Sequence, residues 1–447
     1  MSTLVTRNVQ TPDGSPVNFP NGFTVGSGGG AGTVNHIGVQ GQQGFGVGIA
    51  PELPSGFAKL SGTDDPASGN YGNYQFSDGS VMVYVPAFFY KYGTGSNGLA
   101  INAIDIKAFS AYESVAAANA AGYALHRAFY NAGSIRPGFF IDKYLCSNNG
   151  GIASSIKNGI ALGSAIRGGV SATQFSSLTG SPANALHGAI VAAKTRGASF
   201  FCKPIFMRAA LALLANAHGQ ASINTTFNAW YSSGSTNFPK GNNNNALGDT
   251  NDAAIAYASD GTTGVTGRTG SANFFGRTTH NGQACGVADL NGVLWEIEPG
   301  LTSNGTNFYL LKTAVNMATV TSGNTLATDL WGSTGYAALY DDLGTSYEAL
   351  AGSNANKVMG SASQVLSAGA SGNAWNAAGS GLPLAAGVGG SNAFGNDYFY
   401  DARPNELCAI SGGDWYYGSS AGVWALSLYN ARGTSDHGVG FRSALYL

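Results

Sequence analysis

The side chains best suited to do chemistry in this chain are concentrated between Ser411 and Leu447. Asp414, Tyr416, Tyr417, Ser419, Ser427, Tyr429, Asn430, Thr434, Ser435, Asp436 and His437 alternate there with Gly412, Gly413, Trp415, Gly418, Gly422, Leu426, Ala431, Gly440, Phe441 and Arg442. The second group has the character of a framework. Its glycines allow close backbone approach, and its large apolar residues anchor the segment in a core. The first group has the character of a contact set. Tyrosine gives wide amphipathic contact at little rotamer cost, and serine and asparagine give adaptable hydrogen bonds. Trp424 joins Tyr416, Tyr417 and Tyr429 as an aromatic anchor, with Asp414, Asn430, Asp436 and His437 adding polar specificity. The chemistry is recognition. A polar, aromatic β-rich terminus without a ligand has the same composition, because aromatic residues beside glycine are common in turns.

Bond-making chemistry finds little support. The histidines at 36, 126, 187, 218, 280 and 437 are scattered, with no pair at ligand spacing. His126 reads as a structural histidine. No nucleophile elbow or phosphate-binding glycine loop occurs. No pair of carboxylates stands out for glycan cleavage. Cys146, Cys202, Cys285 and Cys408 form no Cys-x-x-Cys pair and are expected to be buried thiols. No catalytic residue, metal ligand set or cofactor is therefore expected.

The pattern Gly-Gly-x-Trp-x-x-Gly from Gly412, followed by Asn430-Ala-Arg432 and Gly440-Phe-Arg-Ser-Ala-Leu445, resembles the C-terminal variable region of proteins diversified by retroelements. That family has the C-type-lectin-like fold of the formylglycine-generating-enzyme group and includes phage receptor-binding tail proteins. Two further runs resemble the same group: Phe139-Phe-Ile-Asp-Lys-Tyr144, and Gly286-Val-Ala-Asp-Leu-Asn-Gly-Val-Leu-Trp-Glu-Ile297. The resemblance implies an α+β, C-type-lectin-like domain with long loop insertions, and a receptor-binding site on residues 411–447. Enzymes of the group carry two cysteines just before the terminal frame. Trp424 to Arg432 contains none, and Cys408 lies too far upstream to substitute, so the protein is not expected to be an enzyme. In relatives an asparagine at the position of Val293 helps to hold calcium, and its replacement weakens that site here.

Composition narrows the setting. Only 10% of residues are charged, the net charge is −2, and 67 residues are glycine. Nucleic-acid binding calls for a basic stripe, which this balance excludes. A disordered chain would carry high net charge and few aromatics, whereas here 11% are aromatic. No run of about 18 apolar residues is present, so no membrane insertion is expected. The first ten residues lack the apolar core of a secretion signal, which fits a virion part assembled in host cytoplasm and released by lysis.

The elements that must position the C-terminal residues can be read in outline. Residues 1–55, rich in glycine and turn signals, read as a small β-rich arm that docks to other tail proteins and helps form a homotrimer. Residues 56–80 read as a linker, and 81–447 as the lectin-like receptor-binding domain with its variable region at 411–447. Val81 to Tyr92 is β-branched and aromatic, a strand interrupted by Pro86. Phe109–Ala121 and Asn184–Lys194 are expected to be helical. Pro204 to Gly219 is the clearest helix, with proline in its first turn, glycine past its end and one wide apolar face. Residues 237–276 are expected to be surface loops. The expected partner is a bacterial surface receptor, protein or polysaccharide. The alternative is a surface adhesin of the same fold that is not borne on a virion.

Overall fold

The computed structural model describes residues 17–18, 24–25, 32–101, 103–180, 185–222, 242–243, 245–249, 252–320, 339–344, 356–359, 371–382 and 397–447. The architecture is α+β. A six-stranded antiparallel sheet runs in the order Phe201–Cys202, Ser443–Tyr446, Gly138–Asp142, Val81–Pro86, Asn73–Phe76, Phe57–Lys59. Val81–Pro86 is buried on both faces after its first residue, as its unbroken apolar run requires. Pro86 ends it, and the chain resumes as Phe88–Tyr92 in a separate three-stranded sheet with Ile104–Ala108 and Ala124–Leu125. The last strand, 443–446, lies inside the first sheet between 138–142 and 201–202, so the C-terminal segment is fixed at its far end.

The second six-stranded sheet is mixed: Asn356–Met359, Asp397–Asp401, Leu426–Leu428, Ile410–Ser411, Trp295–Ile297, Val439–Gly440. Strand 426–428 runs parallel to 397–401, and 439–440 parallel to 295–297. Three of its six strands therefore come from residues 410–440, held between partners distant in sequence.

The helix Ile205–Ser222 departs from the expected single apolar face, because it is buried all round from Ile205 to Gly219. Its buried Arg208 meets backbone partners: the guanidinium donates to the Ser380 carbonyl at 3.2 Å and the Val423 carbonyl at 3.4 Å. Ala185–Lys194 is helical as expected. Between 109 and 121 only Val115–Ala120 is α-helical, started by the Ser114 side chain accepting the Ala117 N–H, and 109–111 is a short 3-10 turn. In the loop-rich 237–276, the described Ile255 and Tyr257 are buried in a small apolar cluster with Trp415 and Leu294, so this region is not wholly surface.

The expected boundaries at 55 and 80 do not divide the described residues. Ile37, Phe45, Val47, Ile49 and Tyr71 belong to the same core as Val83, Phe139 and Trp424. Strands 57–59 and 73–76 extend the first sheet. Few large apolar residues occur in this stretch, but those few insert into a core built by distant segments. The rest of the proposed arm, apart from the paired strands Val17–Asn18 and Thr24–Val25, lies outside the described residues.

Candidate binding surface

Period-two alternation along Asp397–Asp401 buries Asp397, Phe399 and Asp401 and leaves Tyr398 and Tyr400 half-exposed on one face. Parallel pairing sets Tyr400 beside Ser427. The neighbouring pairing sets Trp295 beside Val439. The Tyr417 ring stands edge-on to Trp295, centroids 4.8 Å apart, and to Tyr398 at 5.4 Å. Tyr398 stacks on Tyr400 at 6.0 Å, and Tyr400 meets Tyr429 edge-on at 5.5 Å. These five rings form one connected wall of a cleft of about 490 Å³, whose lining also includes Ile410, Asp414, Ser427, Asn430, Asp436 and Val439.

Six of the twelve residues expected from the sequence line this cleft: Asp414, Tyr417, Ser427, Tyr429, Asn430 and Asp436. Ser427 is nearly buried, at 6% exposure. Tyr416 lies outside the lining but is 63% exposed, and Tyr429 is 58% exposed. Ser435 and His437 are exposed and Thr434 is half-buried on the loop around Asp436. The side chain of Ser419 lies outside the described residues. Trp424 requires a correction: it is 0% exposed and belongs to the main core, so it is framework and not a contact residue. Its backbone N–H donates to Asp397 Oδ2 at 2.8 Å.

Trp295, Tyr398 and Tyr400 are cleft residues that the sequence reading did not select. For the two tyrosines a signal was present, since Asp397-Tyr-Phe-Tyr-Asp401 sets Tyr398 and Tyr400 two residues apart, on one face of a strand, with Phe399 on the other. Trp295 gave none, because its place in the Trp-Glu signature identifies it equally well as core.

The backbone beneath the cleft is held by buried charge. Arg442 Nε lies 2.9 Å from each carboxylate oxygen of Glu296, and its guanidinium also donates to the carbonyls of Lys143, at 2.9 Å, and Ala288. Lys203 Nζ reaches Glu296 at 3.1 Å and Glu298 at 2.5 Å, and Ser411 Oγ donates to Glu298. Burial pushes Glu298 up, with Lys203 pulling the other way. Gly413 has φ +83°, and a Cβ there would press on Ala421. Gly422 leaves room for nothing larger, because a Cβ would overlap the Asp397 carboxylate.

The loop carrying Asp436 is pinned from a different part of the chain. Ser164 Oγ donates to the Asp436 carbonyl at 2.7 Å and accepts the Asp436 N–H at 2.8 Å. Arg167, fully buried and paired with Asp260 at 3.0 Å, donates to the His437 carbonyl at 3.1 Å. Within the cleft, burial and then the Asp436 charge push the Asp414 carboxyl up to about 7.

Groups that could serve catalysis sit elsewhere and are occupied structurally. All four cysteines are buried, and burial pushes Cys408 up to about 12. His126 is buried and lowered to about 3, mainly by desolvation, and its Nδ1 accepts the Ala128 N–H at 3.1 Å. Among the described residues, no group of three or more His, Cys, Asp or Glu side chains could hold a metal ion. Val293 packs in the apolar cluster with Leu145 and Trp415, so position 293 supplies no oxygen for calcium.

No family model matches the chain, and no curated protein matches it. Its structural neighbours are major tropism determinant variants. The chain is similar to the solved structure "Major Tropism Determinant U1 Variant" at 12% identity, covering 89% of this chain and 73% of that one, with a TM-score of 0.30. The I1 variant gives 13%, the same coverages and 0.30. The M1 variant gives 13%, 82% of this chain and 63% of that one, and 0.29. At such TM-scores the likeness transfers no site residue, and the cleft stands on this chain's own geometry. No described helix is long and apolar enough to cross a membrane.

Proposed function

We propose that this protein is a receptor-binding protein of a phage tail, which attaches the virion to a bacterial surface through a lectin-like C-terminal domain. The observation that carries the reading is the aromatic cleft. Asp414, Tyr417, Tyr429, Asn430 and Asp436 line it together with Trp295, Tyr398 and Tyr400, while the backbone nearby is held by the Arg442–Glu296–Lys203–Glu298 cluster. Contact residues can then vary at little cost to the frame, which is what a diversified site requires. The resemblance of the terminal frame to diversified variable regions supports the same role. Binding, not catalysis, suits a surface built of tyrosines, serine, asparagine and two carboxylates on a rigid scaffold.

In this reading a homotrimer multiplies a modest single-site affinity. Residues near the N-terminus join the subunits and dock to other tail proteins. The test is adsorption. Full-length protein carrying Tyr416→Ala and Tyr429→Ala should lose binding to susceptible cells, by at least about tenfold for a hot-spot pair. Unchanged adsorption by a folded double variant would refute the assignment of this face.

A further inference from the structure

We infer that the cleft receives an alkylammonium group, with the aromatic rings supplying its walls and Asp414 and Asp436 its counter-charge. The inference rests on the binding reading above and specifies the chemistry of the partner.

Three observations point this way. First, the five rings are not a flat shelf. Tyr417 meets Trp295 at 83° and Tyr398 at 72°, and Tyr400 meets Tyr429 at 66°. Tyr398 and Tyr400 are nearly parallel, at 13°, so the rings form a faceted wall and not a closed cage; an aromatic face attracts an ammonium group that comes within about 6 Å of its centroid. Second, the charged lining is of one sign: Asp414 and Asp436 are present, and no Lys or Arg is among the lining residues. Third, the two carboxylates are held toward each other. Gly438 lies between them, with space for no side chain against Asp414, and its N–H is bonded to Asp436 Oδ1 at 2.6 Å. His437 Nδ1 stands 4.0 Å from Asp436 on the solvent side, too far for a hydrogen bond. Burial first, and then the Asp436 charge, raises Asp414 to about 7, so near neutral pH it supplies only part of a charge until an ammonium guest favours its ionisation. A volume of about 490 Å³ accommodates an alkylammonium head and part of the chain that bears it.

The shared chemistry has two sources on a cell surface: a lysine side chain, or a quaternary headgroup of the choline type. The experiment titrates the full-length protein with choline, with Nα-acetyl-lysine amide and with 3,3-dimethylbutan-1-ol, the uncharged isostere of choline, following heat and tryptophan fluorescence. At least one ammonium probe should bind in the millimolar range, with the neutral isostere weaker by about tenfold or more. The better probe identifies the source. The double variant Asp414→Asn, Asp436→Asn keeps side-chain acceptors at both positions and should lose about the same factor, with an unchanged far-ultraviolet spectrum. Equal binding of the neutral isostere, or no binding by either ammonium probe, overturns the inference. If neither ammonium binds but Tyr416→Ala, Tyr429→Ala still abolishes cell adsorption, the receptor-binding reading stands alone. If the ammonium binds and adsorption survives that double variant, the cleft chemistry is right and the attachment role is wrong.

Discussion

Arg442 Nε is equidistant, at 2.9 Å, from the two carboxylate oxygens of Glu296, one residue along from the cleft-lining Trp295. Both side chains are essentially without solvent contact. This pair joins the terminal Gly-Phe-Arg run to the Trp-Glu run, two segments far apart in sequence. Removing one member leaves the other charged and buried. Arg442→Ala or Glu296→Ala should therefore cost about 3–5 kcal/mol of stability, read by urea unfolding. A loss under about 1 kcal/mol would mean that the pair does not hold the frame.

Tyr416 and Tyr429 make the opposite case. Both are more than half exposed, so alanine at either should change stability by no more than about 0.5 kcal/mol. Tyr417, packed against Trp295 and Tyr398, should cost about 1–3 kcal/mol when truncated. Thermal unfolding of the three single variants separates contact from support. Equal losses at all three would remove the distinction.

Gly422 abuts the Asp397 carboxylate, which is itself held by the Trp424 N–H. Gly422→Ala should destabilise by about 1–3 kcal/mol through overpacking, since the neighbour cannot swing away without losing its bond. Asp397→Asn at the same time should not rescue it, because the volume is unchanged. Full stability of Gly422→Ala would show that strand 397–401 yields.

The Asp414 carboxyl gives a pH signature. Its folded value, about 7, lies above the ordinary 3.8, so the folded state holds this proton more tightly than the unfolded chain. The group costs nothing below pH 4, where both states are protonated. The cost grows as pH rises through the window from about 4 to about 7, and is complete above it. After burial, the Asp436 charge adds to the rise of Asp414. Asp414→Asn should flatten the decline in melting temperature across this window. A wild-type profile that rises from pH 4 to 7 with the same slope as the variant would exclude this contribution.

Ser164 holds the Asp436 backbone by both its N–H and its carbonyl. Ser164→Ala should cost about 1–2 kcal/mol and speed amide exchange at 436 ahead of the rest of the sheet. Unaltered exchange there would show that the remaining ties, from Arg167 and from the backbone N–H groups of Ser164 and Ala165, suffice to fix the loop.

The division between buried and exposed positions of residues 411–447 was partly legible in the sequence. Trp415 and Phe441 are buried and Tyr416 and Tyr429 exposed, because glycine-flanked apolar anchors and polar aromatics have different places in any folded segment. Trp424 was misassigned, since an indole suits a core and an interface equally well, and only the packing of distant segments around it, which leaves it 0% exposed in the main core, decides between them. The N-terminal boundaries were misplaced for a related reason. Local composition measures what a stretch contributes, not what distant segments offer it, and Phe45 and Tyr71 pack into a core that others complete.

By itself the sequence determined the α+β content, the break at Pro86, the long helix from Ile205 and the alternation of polar aromatics with glycine-flanked anchors in residues 411–447, all of which follow from local backbone preference and side-chain type. Only the tertiary structure decided that Tyr398, Tyr400 and Trp295 complete the cleft and that Asp414 and Asp436 line the same cleft. The reason is that strand pairing between 397–401 and 426–428, and between 295–297 and 439–440, brings together groups whose separation along the chain carries no trace of their proximity.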